Sequence, residues 1–85
     1  MSRTRNEALE EAANSLNAHA RIQLRAVMAK TCVGDAELAR RLEVVPTVIT
    51  RRFTEEETGL TLATVARMAH AMGHTVALLI TPIAK

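Results

Sequence analysis

Two pairs of adjacent arginines, Arg40–Arg41 and Arg51–Arg52, lie close together in a chain that is otherwise nearly neutral. Between residues 38 and 53 these four arginines are opposed by one glutamate, Glu43, so the stretch carries a net charge of +3. The whole chain holds 11 Lys and Arg against 9 Asp and Glu, a net charge of +2. Guanidinium groups gathered on one part of a small domain are typical of contacts with nucleic-acid phosphates and bases. Such a local cluster is less typical of proteins that bind a membrane surface.

The elements that hold these arginines are predicted to be two short helices joined by a tight turn. In the first helix, over 36–42, the residues expected to face inward are Ala36, Leu38, Ala39 and Leu42. The turn is Glu43 to Val45, and Pro46 suits the first turn of the next helix because it lacks an N–H. Ile49, or Val48 in its place, and Phe53 anchor this second helix. The layout is that of a helix-turn-helix, whose second helix enters the major groove of DNA.

Two further helices are expected to support this unit. Thr4 and Glu7 fit a capping box at the start of a long helix from about Arg5 to Lys30, with a break possible near residues 14–17. Its apolar residues at helical spacing are Leu9, Ala13, Leu16, Ala20, Leu24, Val27 and Met28. The polar run 54–59 is a loop; Thr61 caps a fourth helix that ends at Gly73. The predicted buried stripe of that helix is Leu62, Val65, Ala66, Ala69 and Met72.

The last segment, 74–82, is rich in β-branched residues, apolar on both faces, and ends at proline. We predict a short strand there, with a fifth helix docked on the core as the alternative. A lone strand leaves its backbone groups unpaired, so it would pair with its copy across a two-fold axis. The residues expected at this dimer interface are Val76, Leu78 and Ile80.

Composition limits the fold and the function further. Eighty-five residues make a single domain, and with one Phe and no Trp or Tyr its core must be aliphatic, which suits packed helices. The only cysteine, Cys32, cannot form an internal disulfide, and no membrane span or signal peptide is recognisable; we expect a cytoplasmic protein. His19, His70 and His74 lack metal-ligand spacing, and no nucleophile–base–acid set is present. Neither a cofactor nor an enzymatic activity is therefore expected.

Three segments, ELARRLEV, PTVITRRF and LTLATVARMAHAMGHTVALLITP, resemble the lambda repressor/Cro-like (XRE-type) helix-turn-helix family over residues 18–82. The last segment is most similar to small phage repressors and antitoxin-type autoregulators, in which a C-terminal strand often helps dimerisation. The resemblance implies a mainly α fold: a compact four-helix domain over 18–73, a dimerisation strand and tail over 74–85, and a helical extension over 1–17. It also implies a dimer that binds an operator of two half-sites.

The resemblance assigns roles to individual positions. It places Pro46, Thr47, Val48, Thr50 and Arg51 where the family contacts base edges, and it leaves Arg40, Arg41 and Arg52 as candidates for phosphate contact. By its chemistry, Arg51 could donate two hydrogen bonds to a guanine, worth about 1–3 kcal/mol of discrimination. The departures from the family pattern are Glu43 for glycine, Arg52 for an apolar residue, Asp35 for glutamine and Val45 for a polar cap. A glutamate in left-handed conformation costs about 1 kcal/mol.

The function hypothesis is a sequence-specific, homodimeric repressor of bacterial or phage type that inserts helix 46–55 into double-stranded DNA. The alternative is an antitoxin-like module that binds a toxin or another regulator, with residues 1–17 as an extra partner surface. A non-specific nucleoid-type binder fits the low net charge less well. Several charged residues also have a simpler interpretation. Arg40 and Arg41 would form a solvated helix face, and Glu55 to Glu57 a solvated loop. Arg3 and Arg5 would lie in a frayed terminus rather than in a minor-groove arm.

Overall fold

The computed structural model describes residues 4–54 and 60–83. Within them the chain forms four α-helices: α1 Arg5–Thr31, α2 Asp35–Leu42, α3 Pro46–Thr54 and α4 Leu62–Ala71. The described residues contain no strand, so the prediction of a mainly α fold is confirmed and that of a C-terminal strand is not. No helix in the described ranges has the length and the apolar content needed to cross a membrane.

The first helix is continuous from Arg5 to Thr31, so the predicted break near residues 14–17 is absent. Its start is capped as expected, because the Glu7 N–H donates to the Thr4 hydroxyl at 3.1 Å. The boundary expected between an extension and a domain at residue 17 falls inside this helix. Only its second half supplies buried residues, Leu24 and Met28.

Three helices end with a residue in left-handed conformation: Cys32 (φ 59°), Glu43 (φ 58°) and Gly73 (φ 75°). After each, the next N–H reaches back to a carbonyl five residues earlier, as in the 2.9 Å bond from Val33 to Met28. This is the Schellman arrangement, which satisfies the last carbonyls of a helix. Glu43 therefore has the backbone conformation that the sequence predicted, in a position that favours glycine.

The core lies between α2, α3, α4 and the second half of α1, and its largest fully buried side chains are Leu38, Ile49 and Met68. The described buried residues around them are Leu24, Met28, Val33, Ala39, Leu60, Ala69 and Met72. The inward stripe of α4 was predicted wrongly in part, since Leu62 and Ala66 are exposed and Met68 is buried instead. Ala36 is also exposed, because it lies about 200° around α2 from the fully buried Leu38.

Residues 74–83 form neither helix nor strand in the single chain, so the alternative of a fifth helix is wrong and the strand is not formed. A strand requires a ladder partner, and the described part of one chain offers none. The segment remains apolar and exposed: Val76, Leu78 and Ile80 are 44%, 62% and 86% accessible. Of the predicted loop, residues 55–59 lie outside the described residues.

Candidate nucleic-acid interface

The pair α2–α3 consists of two short helices joined by a three-residue turn, which is the layout predicted from the sequence. Ala39 of α2 and Ile49 of α3 are each 1% accessible, so a small side chain lies where the two helices approach and an apolar one fixes the second helix. The turn 43–45 leads directly into α3, whose first bond runs from the Val48 N–H to the Val45 carbonyl at 3.0 Å. Pro46 takes the first position of α3, as expected for a residue without an N–H.

The side of α3 opposite Ile49 is polar and exposed, and it consists of Thr47, Thr50, Arg51 and Thr54. These residues are three or four positions apart, so they share one helix face. Sequence analysis named the first three as base contacts but missed Thr54, whose hydroxyl donates to the Thr50 carbonyl at 3.0 Å. The signal for Thr54 was the continuation of the same helical spacing.

Two other predicted base contacts lie differently. Pro46 is exposed at the start of α3, where a groove-bound helix would meet DNA first. Val48 is half-buried and lines a hollow against α4, so it is turned away from the exposed face of α3. The position of Val48 makes it a packing residue between the helices. A contact between Val48 and a thymine methyl is therefore not favoured.

Asp35 links the start of α2 to α1 and α3. Its carboxylate accepts a hydrogen bond from Arg25 at 2.6 Å and another from the Thr50 hydroxyl at 3.0 Å. The Arg25 guanidinium also lies 3.9 Å from the centre of the Phe53 ring, within the range of a cation–π contact. The hydrogen bond from Arg25 lowers the pKa of Asp35, although partial burial of the carboxyl opposes this shift.

This network changes the expected roles of two residues. Because the charge of Asp35 is compensated by Arg25, its repulsion of a DNA phosphate is smaller than the sequence alone suggested. The hydroxyl of Thr50 donates its only proton to Asp35, so towards a base it can act only as an acceptor or through its methyl group. Neither contact could be inferred from local sequence, since both join different helices.

The first arginine pair is held by Glu37 within α2. Arg40 donates from Nε to this carboxylate at 3.0 Å, and Arg41 donates from Nε at 2.8 Å. Hydrogen bonds from Arg40 first and Arg41 second lower the pKa of Glu37 to about 2. Arg41 also donates to the carbonyl of Ala71, at the last residue of α4, at 2.9 Å. Arg41 is therefore a brace between two helices, while Arg40 stays 72% exposed at the surface.

The second pair divides between two environments. Arg51 is exposed on the outer face of α3, whereas Arg52 is half-buried and lines the hollow between α3 and α4. The hollow measures about 130 Å³, and its lining residues are Leu42, Val44, Val48, Ile49, Arg52, Thr64, Arg67 and Met68. The apolar part of this lining can hold the methylene stem of Arg52, at a position where the resemblance implied an apolar residue.

The same hollow brings two residues that sequence analysis missed beside Arg52. Thr64 and Arg67 of α4 line it, one helical turn apart. Two guanidinium groups and a hydroxyl around one hollow provide donors of the kind that bind a phosphate. The sequence signal was weak, because only the buried stripe of α4 was predicted and no role was assigned to Thr64 or Arg67.

Comparison with known proteins finds no matching family model, no matching curated protein and no matching solved structure.

Proposed function

We propose that this chain is a sequence-specific DNA-binding regulator of transcription, a cytoplasmic repressor of bacterial or phage type. The observation that carries the proposal is the two-sided character of α3. Ile49 fixes one side on α2 and the core, and the other side presents Thr47, Thr50 and Arg51 on an exposed face. A short helix that is anchored on one side and polar on the other is the element that a helix-turn-helix places in the major groove.

The side chains of the exposed face suggest which residues recognise bases and which contact phosphates. Arg51 is the residue suited to specify sequence, because a guanidinium matches the O6 and N7 acceptors of guanine. Thr47 can donate to a base or a phosphate, whereas the donor of Thr50 is occupied by Asp35. With no Asn or Gln on this face, direct recognition of adenine is weak and the shape of the DNA contributes to specificity.

The phosphate contacts are assigned to Arg52 and Arg67 in preference to the first arginine pair. Arg52 and Arg67 line the same hollow between α3 and α4. Arg40 and Arg41 share the carboxylate of Glu37, so a phosphate would have to compete with an existing ion pair. Phosphate contacts of this kind fix the orientation of the protein on DNA and carry no sequence information.

Repression would require a homodimer, in which two α3 helices enter successive major grooves roughly 34 Å apart. The C-terminal segment supplies one interface, with Val76, Leu78 and Ile80 pairing as a strand against the copy. Val76→Asp or Leu78→Asp should then lower dimer content and operator affinity together. An unchanged sedimentation coefficient in both variants would remove this role from the segment.

The experiment that tests the function is selection of binding sites from a random double-stranded DNA library with the purified full chain. The expected result is an inverted repeat whose half-sites are one helical turn apart. Binding without a motif, and with steep salt dependence, would indicate a non-specific binder instead. No binding at all would contradict the proposal.

A second candidate is an antitoxin-like module that binds a toxin or another regulator. It is favoured by the first half of α1, which is exposed and carries Leu9 and Leu16 at 62% and 58% accessibility. Truncation of residues 1–14 separates the two functions. If the truncated chain still binds DNA but loses a partner that co-purifies with the full chain, the result supports the interaction function. If the truncated chain loses only DNA binding, the result contradicts the interaction function.

A further inference from the structure

The hydroxyl of Thr50, on the exposed face of α3, is bonded to one oxygen of a carboxylate that a second helix shares. Its Oγ1 lies 3.0 Å from Oδ2 of Asp35, while Oδ1 of Asp35 accepts from Arg25 at 2.6 Å. The hydrogen bond from Arg25 lowers the pKa of Asp35, so at neutral pH this carboxyl is ionised and has no proton to donate. Thr50 is therefore the donor in its bond with Asp35.

The bond to Asp35 occupies the single proton that the side chain of Thr50 can donate. The hydroxyl also lies 3.5 Å from the Pro46 carbonyl, but that distance is at the limit of a hydrogen bond, so the charged carboxylate is the stronger acceptor. The groups that Thr50 still offers to a ligand are the lone pairs of its oxygen and its methyl group. At this position the side chain therefore presents an acceptor and an apolar group, but no donor.

The four bases differ in what they offer to such a side chain in the major groove. Adenine and cytosine each present an amino group that can donate to the Thr50 oxygen, and thymine presents a methyl group that can pack on the threonine methyl. Guanine presents only acceptors, N7 and O6. An acceptor opposite acceptors forms no hydrogen bond, so the guanine edge would lose water without gaining a partner. Guanine is therefore the one base that this form of Thr50 cannot accommodate.

We propose that Asp35 makes Thr50 a guanine-excluding position, because it holds the hydroxyl proton and leaves only an acceptor and a methyl group to face the base. The inference rests on the proposed function, in which the exposed face of α3 contacts base edges. Asp35 is then a positioning residue that acts on specificity through Thr50. Two neighbouring residues of α3 would treat guanine in opposite ways, since Arg51 selects guanine at its own base and Thr50 rejects it at another.

The substitution Asp35→Asn should reverse this hydrogen bond and keep the shape of the side chain. Arg25 has only donors, so it takes the oxygen of the new amide, and the amide N–H groups then face Thr50. The opposite orientation would set those N–H groups against the N–H groups of Arg25. The Thr50 oxygen becomes the acceptor of the reversed bond, which frees its proton to donate to N7 or O6 of guanine.

The test is selection from a random double-stranded DNA library with the full chain and three variants, each checked for folding by circular dichroism. For the wild type, guanine at one position of each half-site should weaken binding at least about fivefold. Asp35→Asn should admit guanine at that position alone. The double variant Asp35→Asn/Thr50→Val should exclude guanine again, because valine has no hydroxyl to donate. Glu37→Gln, which also removes one acidic charge from α2, is the matched control and should keep the wild-type exclusion.

A measurement without DNA tests the hydrogen bond itself. The bond from Thr50 contributes to the lowered pKa of Asp35, after the larger effect of Arg25, so Thr50→Val should raise the pKa of Asp35. Thr47→Val, on the same face of α3, should leave that pKa unchanged. Carbon NMR of the carboxyl measures both variants. An unchanged pKa of Asp35 in Thr50→Val would show that the bond is not formed in solution and would overturn the inference.

The outcomes separate this inference from the proposed function. If the wild type selects a motif and Asp35→Asn selects the same motif with guanine still excluded, the inference is overturned and the proposed function stands. If the wild type selects no motif, the proposed function fails and the inference fails with it, even where the pKa of Asp35 rises in Thr50→Val. Guanine admitted by Asp35→Asn and lost again in the double variant is the result that supports the inference.

Discussion

The hydroxyl of Thr50 on α3 donates a 3.0 Å hydrogen bond to the carboxylate of Asp35, the first residue of α2. Asp35 is held in turn by Arg25 of α1 at 2.6 Å, so one carboxylate connects three helices. The rotation of α3 about its own axis depends on this contact and on burial of Ile49. Since the exposed face of α3 is the proposed base-contacting surface, the network sets which side chains would face the groove.

Removal of the Thr50 hydroxyl should therefore destabilise the fold. Thr50→Val keeps the shape of the side chain and leaves one oxygen of Asp35 without its donor, at a cost of about 1 kcal/mol in the free energy of unfolding. Urea denaturation measures the change. The matched control is Thr47→Val, one turn earlier on the same exposed face, where the expected change is below about 0.5 kcal/mol. Equal effects at the two positions would contradict a structural role for the Thr50 hydroxyl.

Glycine at residue 43 should stabilise the protein. Glu43 has φ 58°, a conformation that costs an L-residue about 1–2 kcal/mol and glycine nothing. Glycine also gains freedom in the unfolded chain, so the net gain from Glu43→Gly should be about 0.5–1 kcal/mol. Glu43→Ala is the control, because alanine retains the Cβ atom that causes the strain. A thermal melt in which both variants gain equally would attribute the effect to loss of the charge.

The Glu37 carboxyl should titrate far below ordinary glutamates. Hydrogen bonds from Arg40 and Arg41 lower its pKa from 4.5 to about 2. A group with a lower pKa in the folded state stabilises the fold above its ordinary pKa, and that contribution disappears as the pH falls from about 4.5 towards 2. Carbon NMR of the carboxyl measures the midpoint directly. In Arg40→Gln the Glu37 midpoint should move up; a wild-type midpoint near 4.5 would show that the ion pairs do not form in solution.

Arg67 should contribute to DNA affinity without contributing to specificity. It lines the same hollow as Arg52, away from the exposed face of α3. Arg67→Ala should weaken binding to all sequences alike, and the slope of log K against log salt should fall by about one. Fluorescence anisotropy at several salt concentrations provides both quantities. An altered sequence preference in this variant would move Arg67 from the phosphate contacts to the base contacts.

Local sequence signals predicted the elements that local physics controls. The caps at Thr4 and Thr61, the proline at the start of α3 and the left-handed Glu43 all follow from backbone groups within a few residues. The burial of Ile49 follows from the same kind of pattern, because a short amphipathic helix has only one apolar side.

Contacts between side chains of different helices could not be predicted from the sequence. The bonds from Thr50 to Asp35 and from Arg41 to Ala71 join residues 15 and 30 positions apart, and nothing in either local pattern selects the partner. The stripe of α4 was misjudged for a related reason: alanine and leucine surround much of that helix, so spacing alone did not distinguish Leu62, which is exposed, from Met68, which is buried. The C-terminal segment has no ladder partner within the described chain, and the strand that its β-branched residues predicted is not formed there.

The central claim is that α3 specifies a DNA sequence through Arg51. The most direct test repeats the library selection with Arg51→Ala, and with Arg40→Ala as a matched control from the ion pair on α2. The account predicts that Arg51→Ala abolishes the preference for guanine at one position in each half-site and leaves the other positions intact, while Arg40→Ala selects the wild-type motif. An unchanged motif in Arg51→Ala would contradict the account.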